Sequence, residues 1–245
     1  MSGTISTTLT ATYGLAASPT TIVATGAVEV AAVGYAVTGG PGFTLINDGQ
    51  IRNTVFRGVS LGAGGTLTNA ASGTITAALL NAVVLGSGGS VTNSGSIGGG
   101  TAGVDLTGGG SVLNEAGGAI TANSGLARAI LGLYGPLTVT NAGSVTGIGG
   151  SATGIALYAG GTITNLAGGT ISGYGGSARG IALSAGGVVD NMAGGVIQGT
   201  NPAIVIGGGS TTIVNAGTII GAAVGGSSDG VISFADITRV PQAAA

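Results

Sequence analysis

GGTITNLAGGTISGYGGSARGIALSAGG, residues 160–187, decides the fold. Three short segments within it alternate with a period of two: Thr162-Ile163-Thr164-Asn165, Thr170-Ile171-Ser172 and Ile181-Ala182-Leu183. Between them stand Ala167-Gly168-Gly169 and Gly175-Gly176, and Gly186-Gly187 closes the set. β-branched residues at alternate positions, bounded by glycine corners, predict strands and not a helix.

Working outward, the same phrase returns along the chain. An apolar residue, a spacer, Asn, a short turn with Gly, and Ile or Val recur as LINDGQI (45–51), LTNAASGTI (67–75), VTNSGSI (91–97) and VLNEAGGAI (112–120). The later copies are VTNAGSV (139–145), ITNLAGGTI (163–171), VDNMAGGVI (189–197) and IVNAGTI (213–219). The anchors are Asn47, Asn69, Asn93, Asn114, Asn141, Asn165, Asn191 and Asn215. The successive intervals between them are 22, 24, 21, 27, 24, 26 and 24. A degenerate copy at 22–28 puts Ala24 at the anchor position. Ten and eight residues before most anchors stand two apolar residues, such as Val59/Leu61, Leu131/Leu133 and Ile155/Leu157.

A repeat of this length, holding three strands and lacking hairpin register at its corners, predicts an all-β fold. The expected architecture is a parallel β-helix (β-solenoid) of about nine coils with three short strands per coil. Each strand pairs with its equivalent one coil on, ~4.8 Å along the axis. A single coil buries too few aliphatic side chains to offset the ordering of its backbone, so only the consecutive array is stable. The anchor Asn shares parity with the inward residue two before it. Stacked at one coil spacing, its amide can donate to one neighbour and accept from the other.

Composition excludes much chemistry. The chain has 245 residues, 55 of them Gly, no Cys, His or Trp, and only 12 charged residues with net charge −2. Thiolate and imidazole catalysis and His-ligated zinc are therefore ruled out. Five Arg give nucleic acid little to bind, and no window of ~18 apolar residues suggests membrane insertion. The N-terminal MSGTISTTLT shows no basic region followed by an apolar core, so no secretory leader is read there.

Carboxylates map apart. Asp48 and Glu115 share a position but lie three coils from one another, beyond the reach of a glycosidase pair. No calcium repeat or phosphate loop is present in a fitting context, so no catalytic, cofactor or metal residues are assigned and the chain is read as a non-enzyme. Arg57, Arg128 and Arg179 fall near one corner, and Tyr134 and Tyr158, both seven before their anchors, are expected to stack. With Tyr174 nearby, Tyr134, Tyr158, Tyr174, Arg128 and Arg179 form a candidate glycan patch. Outward Thr/Ser pairs, Thr66/Thr68, Ser90/Thr92, Thr138/Thr140 and Thr162/Thr164, also suggest an ice-binding face, interrupted at Leu113, Asp190 and Val214.

The quoted stretch resembles the glycine-rich β-helix repeats of bacterial secreted surface proteins, particularly autotransporter-type passengers and adhesins, over about residues 20–221. That resemblance implies export, right-handed coils and a role in surface adhesion or fibre formation. It carries over no functional residue, and nothing after Gly221 resembles the membrane barrel of a whole autotransporter. The expected organisation is an N-terminal edge or cap (1–20), solenoid repeats (21–221) and a C-terminal cap or tail (222–245). The expected function is an extracellular or cell-surface structural protein, an adhesin stalk or self-assembling fibre. Its main partner is a further copy stacked head to tail, with a host or matrix glycan as the other partner. Alternatives are a glycan- or ice-binding module, or a polysaccharide-acting enzyme.

Overall fold

The computed structural model describes residues 2–221 and the backbone of 231–233 and 237–240. It is an all-β parallel solenoid of about nine coils with three strands per coil. Equivalent positions in neighbouring coils lie about 24 residues apart. The strands join three sheets of 11, 10 and 10 members, and each sheet takes every third strand in chain order. The first sheet holds the strands that end in the anchor asparagines, such as Gly161–Asn165. The second holds strands such as Thr170–Tyr174, and the third strands such as Arg179–Leu183.

Pairing is parallel and in register from coil to coil: Ile163 lies against Val139 and Val189, Ile171 against Val145 and Ile197, and Ile155 against Ile130 and Ile181. These inward rows of Ile, Val and Leu form one continuous core, nearly all of it fully buried. A small alanine cluster, Ala122, Ala127, Ala152 and Ala178, fills the corner between the second and third sheets.

The stack begins inside the N-terminal edge segment. Gly3–Ile5, Thr8–Leu9 and Tyr13–Gly14 each pair with a strand of the following coil. The expected cap or tail at 222–245 lies mostly outside the described residues. Within it, the backbone of Val231–Ser233 and Ile237–Val240 continues the third and first sheets.

Two expectations about register are corrected. Ile22, not Ala24, lies opposite Asn47. In the coil with the longest spacing, Ile130 and Gly132 occupy the inward positions assigned to Leu131 and Leu133, since they pair with Val104 and Leu106. The repeat absorbs this glycine by an exchange of volume. Leu137 replaces the corner glycine found in the same row as Gly110 and Gly161, and it is buried. A Cβ on Gly132 would stand 3.3 Å from Leu137 Cβ, so leucine at the corner fills the core space that glycine leaves. The exchange recurs two coils from the start. Gly39 pairs with Leu61, and a Cβ there would stand 3.2 Å from Phe43 Cβ, which packs on the core.

Candidate functional site

The asparagine anchors form one line through the stack. Nδ2 of Asn47 donates to Oδ1 of Asn69 at 2.8 Å, and the pattern repeats to Asn93, Asn114, Asn141, Asn165, Asn191 and Asn215 at 2.8–2.9 Å. Every anchor from Asn47 to Asn191 is completely buried. Each of their Nδ2 groups also donates to a glycine carbonyl of its own turn and to a carbonyl of the next coil; for Asn141 these are Gly143 and Thr170, both at 3.2 Å.

The turn after the anchor must be glycine for two reasons. Gly117 holds φ +84°, a region that favours glycine. A Cβ on Gly118 would meet Asn93 O at 2.4 Å and Asn114 Oδ1 at 2.6 Å. All donors point toward the C-terminal end, so the line has a direction. At its start Asn47 Oδ1 is buried without a donor, because apolar Ile22 lies below it.

The tyrosine ladder does not form. Strand register places Tyr158 opposite Leu133, leaving Tyr134 one residue beyond that row and 81 % exposed. The cause is the same one-residue shift that moves Leu131 outward. Tyr174 lies apart, at the end of a second-sheet strand, where its hydroxyl meets the Gln198 amide.

Arg128 and Arg179 do come together with Tyr158. Arg128 pairs with Thr153 and Thr153 with Arg179, so the two arginines share a row two coils apart. The Arg128 guanidinium carbon stands 5.6 Å from the Tyr158 ring centre. Between this row and Tyr158 the outward row of the third sheet runs Leu131, Ala156, Ala182, Val205. The two alanines hollow the face into an open cleft of about 250 Å³. Arg57 stands in the same row nearer the N-terminus and lies over the Tyr35 and Phe56 rings at 5.5 and 4.6 Å.

The same outward row carries Asp105, only 7 % exposed, between Val84 and Leu131. Asn81 Nδ2 donates to it at 2.8 Å, and the Asn81 amide oxygen accepts from Thr101 at 2.6 Å. Burial pushes the Asp105 carboxyl above its ordinary range, partly offset by the Thr107 hydroxyl, by the charge of Arg57 and by Asn81. Sequence reasoning missed this cluster. The signal was present, since Asn81 stands one repeat after Arg57 and in its row. Asp48 and Glu115 are held instead by Ser72 and Ser94.

On the first sheet the outward hydroxyls stack in two rows. One runs Thr44, Thr66, Ser90, Ser111, Thr138, Thr162 before Val188. The other, Ile46, Thr68, Thr92, Leu113, Thr140, Thr164, Asp190, is broken by apolar and acidic residues. The second row therefore presents hydroxyls only as adjacent pairs. Comparison with family models, with curated proteins and with solved structures yields no match to this chain.

Proposed function

We propose that this protein is a non-enzymatic structural solenoid of the bacterial surface or extracellular space, a stalk or fibre subunit that lengthens by head-to-tail stacking of coils. The observation that carries the reading is the unpaired side of the first coil among the described residues. Gly3–Ile5, Thr8–Leu9 and Tyr13–Gly14 are the edge strands of the three sheets, each with a neighbour on one side only among the described residues. Gly3 N donates to Pro19 O and Ile5 O accepts from Val23 N, so Thr4 between them turns its N–H and C=O toward the open side. Such an edge is a template for another strand. Residues 1–28 carry no charged side chain, so this stretch brings no like-charge repulsion to the edge. Because the contact joins unlike ends, it propagates as a filament.

Electron microscopy and light scattering at micromolar concentration test this. Filaments one solenoid wide are expected, and Thr4→Pro, which removes one outward donor and leaves the core untouched, is expected to shorten or abolish them. A monomer across salt and pH overturns the reading.

A further inference from the structure

We propose that the cleft between Arg128, Tyr158 and Arg179 is a binding site for an acidic sugar, one whose pyranose ring carries a carboxylate. The argument begins with uncompensated charge. No acidic residue occurs between Glu115 and Asp190, and Asp190 stands on the first sheet while the cleft and its two guanidinium groups lie on the third. Among the described residues the acidic group closest to them in register is Asp105, opposite Leu131, and it is engaged by Asn81 and Thr107. Arg128 donates from one terminal nitrogen to the Leu126 carbonyl at 3.2 Å and otherwise lies over the Tyr158 ring. Arg179 Nε is buried with no hydrogen-bond partner among the described residues. A buried donor left unpaired is costly, and a carboxylate that reaches it recovers that cost through a charge-assisted bond.

Shape points the same way. Ala156, Ala182 and Val205 give the cleft an apolar floor, and Leu126, Thr153 and Ser184 also line it. Tyr158, 40 % exposed, offers an aromatic wall. Apolar floor, aromatic wall and fixed polar groups together suit the mixed surface of a pyranose. The two arginines stand two rungs apart, about 10 Å by strand spacing, so they bracket a chain of sugars laid along the solenoid axis. Planar guanidinium groups favour carboxylates by forked pairing. Nothing in this depends on filament formation, because the cleft belongs to one subunit.

The test is calorimetric titration of the full chain with a tetrasaccharide of alternating N-acetylglucosamine and glucuronate, against uncharged chitotetraose. The acidic tetrasaccharide is expected to bind at least tenfold more tightly, with affinity falling as sodium chloride rises. Arg179→Gln and Tyr158→Ala are each expected to weaken binding at least tenfold, and Tyr134→Ala, outside the cleft, to leave it unchanged. Circular dichroism identifies any variant that fails to fold, and Arg128→Gln then serves as the second charge probe. Equal affinity for the two sugars, unchanged binding by folded Arg179→Gln and Arg128→Gln, or binding of inorganic sulfate as tightly as the sugar overturns the proposal.

Discussion

Asn141→Ala is the sharpest probe of the amide line. Asn141 accepts from Asn114 at 2.8 Å and donates to Asn165 at 2.9 Å, and all three side chains are fully buried. Truncation strands Asn165 Oδ1, which has no other hydrogen-bond donor among the described residues, at about 1–3 kcal/mol for a buried unsatisfied group. Asn114 loses one acceptor but keeps Gly118 O and Ser144 O, so that side costs about 0.5–1.5 kcal/mol. With the small void left behind, the total is about 2–5 kcal/mol.

Asn215→Ala is the built-in control. Asn215 is partly exposed and, among the described residues, accepts from Asn191 and donates to none; Asn191 retains Gly195 O and Thr218 O, so the loss through these contacts is about 0.5–1.5 kcal/mol. Urea midpoints with unchanged slopes measure the difference. In thermal melts 1 kcal/mol corresponds to about 2–4 °C for a chain of this size, so Asn141→Ala is expected to melt well below Asn215→Ala. Equal losses in the two variants, or less than about 1 kcal/mol for Asn141→Ala, refute the amide line as a stabilising device.

Two further outcomes follow from the packing and the charges. Gly132→Leu alone overfills the core at a cost of about 1–3 kcal/mol, because its Cβ already stands 3.2 Å from Leu157 Cδ2 and 3.3 Å from Leu137 Cβ. Leu137→Gly alone leaves a void, and combining the two is expected to recover about 1–3 kcal/mol in a double-mutant cycle read by urea unfolding; strict additivity disproves the exchange of volume. Asp105 titrates above its ordinary value of 3.8 in the folded chain because burial disfavours its charge. The folded state therefore holds that proton longer, and stability is expected to fall as pH rises from 3.8 through the raised value. Asp105→Asn is expected to remove that fall, seen as a gain in urea midpoint at neutral but not at acidic pH.

The coil and its anchors were legible because asparagine at a near-constant interval, two residues from an inward aliphatic, is a pattern of chemistry as well as spacing. What failed, failed at irregular coils. Across the longest interval, from Asn114 to Asn141, Leu131 and Leu133 imitate the inward pair, and only the strand ladder shows that Ile130 and Gly132 hold those places. The expected tyrosine ladder does not form for the same reason, since the interval from Tyr134 to Asn141 spans the irregular segment. Ile22 was missed because an apolar residue replaces the polar one, so residue type gave no match. The cleft was half legible. Its arginines stood out as rare charges, but its hollow depends on Ala156 and Ala182, whose smallness matters only beside Leu131 and Val205.

The directional amide line couples each rung only to the rungs above and below. Anchor intervals vary from 21 to 27 because all surplus is taken up in the corners, while the row positions stay fixed. Excising or duplicating the segment between two neighbouring anchors, such as 142–165, therefore leaves matching faces to close again, and the molecule changes only in reach, by ~4.8 Å per rung. Length in this architecture is a quantity that gene duplication can adjust in single steps without redesigning the interior.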